Sequence, residues 1–277
     1  MTRIAICAPS APLARDAAAN VAELARASFP ALDLLFHEQC FAEAGHFAGN
    51  DAVRLAALLE CANDPGTQAV WFARGGYGAV RIAADAVARM GPNAADKTFL
   101  GYSDGGALLG ALYRAGIGHP VHGPIPGDIR RAGGEAAVLR ALDCLAGGRR
   151  GREPSIDHRP TVALNLMTLA SIVGTPLMPN LAGHVVMIEE VSEHLYAVDR
   201  LLFHVTAHLA PVGIAGLRLG RVSDVPENDR PFGSEPDAMV QDWCARTGLA
   251  YLGRADIGHD ADNRIVPFGL ASAPGRP

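Results

Sequence analysis

The sequence has few charged residues, one lysine and no long hydrophobic run. Charged residues make up 19% of the chain, below the roughly 25% of a typical domain, while hydrophobic residues reach 49%. This composition excludes disorder and predicts a sizeable core. The net charge is -5 and no arginine cluster occurs, so we expect no nucleic-acid partner. No apolar run approaches the roughly 20 residues that span a bilayer, so we expect no membrane partner.

The five cysteines are scattered along the chain and never occur in Cys-x-x-Cys spacing. Disulfide frameworks and zinc ribbons need closer pairs, so we expect reduced thiols that pack as small hydrophobic residues. The first residues, MTRIAICAPSAP, predict a buried strand and lack the features of a secretory signal. We therefore expect a soluble, cytoplasmic protein.

Short apolar runs alternate with helical periodicity along the first half of the chain. The predicted strands are Ile4–Ala8, Leu32–Phe36, Gln68–Ala73, Thr98–Tyr102 and a short strand near Val121. Predicted helices separate these strands. The first is rich in alanine and runs through Leu24, and the second is capped by Asn50 or Asp51. The other three have predicted inward faces, formed in turn by Val80, Ala83, Ala84 and Val87, by Leu108, Leu109 and Leu112, and by Val138, Ala141, Leu142 and Leu145. Such βα repeats predict an α/β fold class, with a Rossmann-like parallel sheet over residues 1–146.

A polar stretch that is punctuated by glycine and proline and has no periodicity, residues 147–160, is the predicted linker. Beyond it, the pattern predicts a smaller mixed α+β domain over residues 161–277. Its predicted helices are Leu166–Val173, Leu195–Leu209 and Ala238–Arg246, and its predicted strands are His184–Ile188, Ile214–Leu219 and Ile265–Leu270.

One motif, Leu100–Gly106 (LGYSDGG), suits a nucleophilic serine. Ser103 lies between a predicted strand and a predicted helix, with glycines on both sides. A sharp turn there exposes the hydroxyl, and amides at the start of the helix can stabilise an oxyanion. The alternative is a serine that caps the helix, with glycines that only permit the turn.

A second glycine-rich loop, Phe72–Gly78 (FARGGYG), also follows a predicted strand and begins a helix. Its three glycines let the backbone approach a ligand and turn its amides outward. A phosphate cradle is the alternative, but neither the P-loop pattern nor the dinucleotide fingerprint fits. Both loops follow parallel strands, where open α/β sheets build their sites, so they could share one pocket.

A serine nucleophile needs a base, and the base needs an orienting group. Among ten histidines, His259 lies in a polar loop just before a predicted strand. His204 and His208 share a helix face that would suit a metal pair, but the face is apolar and no glutamate lies between them, so we expect no metal. Glu189 ends an apolar strand, where a buried carboxylate needs a partner such as imidazole. A solvated glutamate at a strand edge is the alternative.

These residues belong to a series of motifs by which the chain resembles the LD-carboxypeptidases, a family of serine peptidases. The series covers nearly the whole chain in the family's order: APS (8–10), ARGGYGAVR (73–81), LGYSD (100–104), HGP (122–124), NLMTLASIVGTP (165–176), VVMIEEVSEHLYAVDRLL (185–202), AGLRLG (215–220), IGH (257–259) and RIVPFGLAS (264–272). RGGYG and GYSD together are its most specific part.

The resemblance implies a role for each candidate. Ser103 would be the nucleophile, His259 the base and Glu189 the carboxylate that orients it. Backbone amides of Gly75, Gly76 and Asp104 would form the oxyanion hole, and Arg74 and Tyr77 are the predicted substrate-binding side chains.

The family also implies a Rossmann-like first half, a second half built on a small β-rich core, and a site at their junction. It further implies a homodimer that needs no metal and no cofactor. The implied substrate is a small peptide: the family removes a terminal D-alanine from an L-configured centre in murein tetrapeptides, during peptidoglycan recycling.

The chain departs from the family pattern in three places, one of them a pair of residues. Gly105 stands where the family usually has threonine, Glu190 replaces an aspartate, and Ala163-Leu164 replaces a glycine pair. None belongs to the expected triad, but each could alter how a substrate fits.

Three other functions fit parts of the sequence. An amidase of the same fold could cleave microcin C-type peptidyl nucleotides, although the linker lacks an aromatic residue for adenylate stacking. An α/β-hydrolase-type esterase has the same order of serine, acid and histidine, but an HGGG motif is missing. A two-lobed peptide binder would need none of the three catalytic residue types.

Overall fold

The computed structural model describes residues 1–270, and its first sheet contains six strands. They are β1 (Thr2–Cys7), β2 (Leu32–Phe36), β3 (Ala69–Phe72), β4 (Thr98–Gly101), β5 (His119–His122) and β10 (Val266–Pro267). Their spatial order is β10-β5-β4-β3-β1-β2, and every pair is parallel except β10 with β5. The α/β prediction for the first half is therefore confirmed.

Five helices cover the two faces of this sheet, as the periodicity predicted. They are α1 (Arg15–Ser28), α2 (Asp51–Asn63), α3 (Ala79–Arg89), α4 (Gly106–Ala115) and α5 (Gly134–Leu145). Asn50 caps α2, because its side chain accepts a hydrogen bond from the amide of Val53 at 3.0 Å. The predicted inward faces of α4 and α5 are buried.

The predicted inward face of α3 was wrong in part. Ala84 is exposed and Val80 and Val87 are only half-buried, whereas Ile82 and Ala86 are fully buried. Alanine occupies both faces of this helix, so its hydrophobic pattern does not fix which face turns inward.

The second sheet contains four parallel strands in the order β6-β7-β8-β9. They are β6 (Thr161–Asn165), β7 (Val185–Val191), β8 (Gly216–Ser223) and β9 (Tyr251–Arg254), and the accompanying helices are α6 (Leu166–Ile172), α7 (Leu195–Val212) and α8 (Pro236–Thr247). The sequence analysis missed β6 and β9, which are short and lie at the edges of the sheet. The whole is an α/β protein with two domains.

The last predicted strand, Ile265–Leu270, is shorter and differently placed than expected. Only Val266–Pro267 forms a strand, and it pairs antiparallel with β5 of the first sheet. The chain thus returns to the first half after the second sheet is complete. The final motif residues Ala271 and Ser272, and the rest of 271–277, lie outside the described residues. The domain boundaries at 146 and 161 stay a prediction.

The two halves share one hydrophobic core. Helix α4 packs on α6, and a Cβ at Gly106 would lie only 2.8 Å from Leu164. This close approach brings the carboxyl end of β4 next to the carboxyl ends of β6 and β7. Within residues 1–270, no helix is both long and apolar enough to cross a membrane.

Candidate active site

Ser103 occupies a strained turn directly after β4. Its φ is +58°, in the left-handed region that residues with side chains rarely adopt. The surrounding glycines are required by close contacts: a Cβ at Gly75 would lie 2.7 Å from the Ser103 hydroxyl, and one at Gly101 would lie 2.6 Å from Phe72. A strained strand-to-helix turn of this kind holds a serine hydroxyl outward, where a substrate can reach it.

Three side chains from distant parts of the chain form one hydrogen-bonded series. His259 Nε2 lies 3.0 Å from Ser103 Oγ, and His259 Nδ1 lies 2.6 Å from Glu189 Oε2. Glu189 is fully buried and His259 is 6% exposed. The series has the geometry of a nucleophile, a base and an orienting carboxylate.

The environment of His259 favours its protonated form. Burial alone would lower the pKa of His259, but the charge of Glu189 and its hydrogen bond outweigh burial and raise that pKa above its ordinary value. The raised pKa makes the imidazole a better proton acceptor, and Ser103 Oγ lies within hydrogen-bond distance of its Nε2.

The loop that carries His259 is anchored to the first half of the chain. Arg131 donates a hydrogen bond through Nη1 to the His259 carbonyl. Asn263 Oδ1 accepts from the Gly258 amide at 3.2 Å and from His122 Nε2 at 3.0 Å. His122 ends β5, so these bonds fix the base relative to the sheet that carries the serine.

A buried carboxylate of the first half holds the tyrosine whose ring packs against the imidazole. Asp128 Oδ1 accepts hydrogen bonds from the Tyr102 hydroxyl at 2.8 Å and from Arg131 Nε at 3.0 Å. The Tyr102 ring centroid lies 4.7 Å from that of His259. Burial raises the pKa of Asp128 and of Tyr102. The sequence analysis did not select these residues; the one local signal was that Asp128 follows β5 at the same edge of the sheet.

Asp104 joins three loops behind the serine. Its Oδ2 accepts hydrogen bonds from Ser10 Oγ at 2.5 Å and from the Ala79 amide at 2.8 Å. Burial raises the pKa of Asp104, although these hydrogen bonds oppose the rise. Gly75 and Gly76 line the same cavity as Ser103, and the Asp104 amide nitrogen lies 3.9 Å from the position of a Cβ on Gly75. The oxyanion role of these amides stays a prediction.

The two adjacent glutamates of β7 have different surroundings. Glu190 Oε1 accepts from Asn165 Nδ2 at 2.7 Å and from the Val191 amide at 2.9 Å, and its Oε2 accepts from the Met167 amide at 2.8 Å. Glu190 therefore holds the start of α6, whereas Glu189 contacts His259. Burial raises the pKa of Glu190.

We expect Glu190→Gln to destabilise the protein. Oε1 accepts from the buried side-chain amide of Asn165 and Oε2 accepts from the partly buried Met167 amide, so either orientation of a glutamine amide sets its NH₂ against a donor. One unsatisfied buried group costs about 1–3 kcal/mol, and we expect a loss of that size in the free energy of unfolding, measured by urea denaturation. An unchanged midpoint would show that these hydrogen bonds contribute little.

A cavity of about 540 Å³ contains Ser103 and His259. The cavity lies between the two halves of the chain. One wall is formed by the loop that carries Arg74, together with Arg130 and Arg131, and the other by residues that follow β7 and β8. Arg74 lines the cavity, and its role in binding the substrate stays a prediction. Tyr77 does not line the cavity: the residue is 48% exposed and its ring lies near that of Phe47, because the loop turns outward after Gly76.

The alternative histidine pair lies away from this cavity. His204 is exposed on α7 and His208 is half-buried. In residues 1–270, no group of three or more histidine, cysteine, aspartate or glutamate side chains is placed to hold a metal ion.

Two family domains match the sequence. The LD-carboxypeptidase N-terminal domain matches residues 4–123, and the LD-carboxypeptidase C-terminal domain matches residues 160–273. The murein tetrapeptide carboxypeptidase of Pseudomonas aeruginosa is 26% identical over 287 residues, covering 96% of this chain and 91% of that protein.

Solved structures share the fold over nearly the whole chain. The muramoyltetrapeptide carboxypeptidase from Oxalobacter formigenes superposes with a TM-score of 0.79 at 23% identity, covering 98% of this chain and 96% of that one. The microcin C7 self immunity protein MccF superposes with a TM-score of 0.77 at 17% identity, covering 97% and 91%. At these identities the two structures establish the fold alone.

Proposed function

The chain belongs to the LD-carboxypeptidase family, and we propose that it is a serine carboxypeptidase that releases the C-terminal D-alanine of murein tetrapeptides. The bond cleaved joins an L-configured centre to D-alanine. The observation that carries the proposal is the hydrogen-bonded series from Ser103 through His259 to Glu189. A cytoplasmic role in peptidoglycan recycling and a homodimer belong to the same proposal.

The proposed reaction has two steps. As Ser103 Oγ attacks the scissile carbonyl, its proton moves to His259 Nε2, and Glu189 stabilises the imidazolium. The imidazolium then protonates the leaving amine, so D-alanine departs and an acyl-serine remains. Water attacks this ester with His259 as base again, which frees Ser103. The amides of Gly75, Gly76 and Asp104 would stabilise the oxyanion in both steps.

The test is direct. The protein is incubated with L-Ala-γ-D-Glu-meso-diaminopimelate-D-Ala, and free D-alanine is measured by mass spectrometry. A p-nitrophenyl ester and a peptidyl adenylate of the microcin C type are run beside it. Release of D-alanine supports the proposal, whereas turnover of the ester or the adenylate alone would assign one of the other activities.

We expect kcat/KM to fall as the pH drops through the raised pKa of His259. Protonated imidazole cannot accept the serine proton, so activity is present above that pKa and declines by about tenfold per pH unit below it. Because Glu189 raises this pKa, the acidic limb should lie above the ordinary histidine value of 6.5. A profile from pH 5 to 9 measures it, and a rate that stays flat down to pH 5 would exclude His259 as the base.

A further inference from the structure

Three residues other than glycine have a left-handed backbone within residues 1–270, and all three line the catalytic cavity. They are Ser103, Ser192 and Asp224, with φ of +58°, +60° and +50°. Strained backbone persists where the surrounding structure enforces it, and it clusters at functional sites. Ser103 already has a role in the proposed mechanism. Ser192 and Asp224 do not.

Ser192 and Asp224 lie at neighbouring strand ends of the second sheet, on the wall of the cavity. Ser192 directly follows β7 and Asp224 directly follows β8, and these strands are neighbours in the sheet. The Ser192 amide donates a hydrogen bond to the Ser223 carbonyl at 3.0 Å, which joins the two strand ends. Both side chains are exposed. β7 also carries Glu189, so the pair is fixed relative to the triad.

The charges of the cavity are divided between its two walls. On the wall of the first half, Arg130 pairs with Asp16 at 2.5 Å and Arg131 pairs with Asp128 at 3.0 Å. Arg74 donates only to the Pro12 carbonyl, at 3.0 Å. It has no carboxylate partner within 4 Å among residues 1–270.

On the wall of the second half, Asp224 carries the opposite charge to Arg74 and likewise has no charged partner nearby among residues 1–270. Within residues 1–270, no cation lies within 4 Å of its carboxylate and no hydrogen bond to its side chain is formed; it acts on Arg131 only at longer range. The Ser192 hydroxyl beside it likewise makes no hydrogen bond within the described chain. The cavity therefore offers one unmatched cation and, on the facing wall, one unmatched anion with a hydroxyl.

We infer that Asp224, assisted by the Ser192 hydroxyl, binds an ammonium group of the substrate. This assignment rests on the proposed function for the kind of substrate. A C-terminal D-alanine residue carries a methyl and a carboxylate but no ammonium before cleavage. The ammonium that matches Asp224 must therefore lie on the acyl part, where the tetrapeptide has two: the α-ammonium of its first residue and the side-chain ammonium of the residue that supplies the scissile carbonyl. The second belongs to the residue that Ser103 attacks, so it is the one that lies nearer to the strand ends flanking the triad. Within the proposed substrates, this assigns Asp224 and Ser192 to the side-chain ammonium of the diaminopimelate or lysine that precedes the terminal D-alanine.

The experiment removes the charge from either side of this contact. The substrates are L-Ala-γ-D-Glu-L-Lys-D-Ala and the same peptide with L-norleucine, which keeps the methylenes and lacks the ammonium. The enzymes are the unmodified protein, Asp224→Asn, Asp224→Gly and the control Glu227→Gln. Asparagine and glycine both tolerate a left-handed backbone, so each variant keeps the fold. Glu227 is exposed nearby but does not line the cavity.

We expect both Asp224 variants to raise KM for the lysine peptide by about tenfold to a hundredfold, the range of a lost charge-assisted hydrogen bond, with kcat unchanged. KM for the norleucine peptide should not change, and Glu227→Gln should change neither value. Equal effects on the two peptides, or none on either, would overturn the inference.

A failure of the proposed function would be seen separately. If the unmodified protein releases no D-alanine from either peptide, calorimetry on the same proteins still measures binding. A preference for the lysine peptide that disappears in Asp224→Asn would then support the ammonium site without the reaction, and equal binding of the two peptides would refute it.

Discussion

Ser103→Ala should lower kcat for release of D-alanine by about 10⁴- to 10⁶-fold, the loss seen when the nucleophile of a coupled triad is removed. The hydroxyl lies 3.0 Å from His259 Nε2, and no other side chain is bonded to it within residues 1–270. Alanine is smaller than serine and places no new atom against Gly75, so the fold should persist.

Kinetics on one L,D-peptide, together with calorimetric binding of the same peptide, would measure this effect. Binding should survive in Ser103→Ala, because the arginines and strand ends that line the cavity are unchanged. Ser171→Ala is the matched control, since its hydroxyl bonds only within α6, to the Thr168 carbonyl at 2.7 Å. A variant of Ser103 that kept a rate near that of the unmodified protein would mean that another group attacks the substrate.

Glu189→Gln should lower kcat by about 10²- to 10⁴-fold, by analogy with other triad carboxylates. Glutamine keeps the shape but loses the charge that stabilises the imidazolium. Its NH₂ can also donate to His259 Nδ1, which would favour the tautomer that leaves Nε2 protonated and unable to accept from Ser103. Without the charge, burial dominates and the pKa of His259 falls, so the acidic limb of the pH profile should move to lower pH.

The control for this prediction is the neighbouring carboxylate. Glu190→Gln should keep kcat within about tenfold, because its oxygens bond to amides at the start of α6 and not to the base. Full profiles of kcat against pH for both variants make the comparison. If Glu190→Gln is the inactive enzyme while Glu189→Gln retains its rate and its acidic limb, the orienting carboxylate has been misassigned.

Local pattern was sufficient for most of the first half. Leu32–Phe36 forms a strand with the predicted bounds, Asn50 caps α2, and the buried face of α5 is the predicted one. In each case, the residues that predict the element lie within one turn of helix or a few residues of strand. Packing against the core then favours the same structure as the local pattern. Pattern failed where it was ambiguous, as in α3 with alanine on both faces, and where strands were short edge strands, as in β6 and β9.

The strand β10 shows a different limit. Val266–Pro267 pairs with β5, which lies more than 140 residues earlier in the chain. No property of the residues around Val266 specifies that partner. The pairing depends on the return of the chain to the first sheet, which is a property of the whole fold.

The candidate site likewise has features that the local sequence predicts and features that depend on the tertiary fold. The sequence by itself determined the strand-to-helix turn at Ser103, since its glycines are local, and the motifs that carry the family resemblance. Only the tertiary structure decided that His259 reaches Ser103 across 156 positions, that Tyr102, Asp128 and Arg131 surround the base, and that Ser192 and Asp224 face the same cavity. A turn depends on the residues that form it. An ion pair or a cavity wall depends on how separate strands pack against each other, and the residues within a short stretch of sequence do not determine that packing.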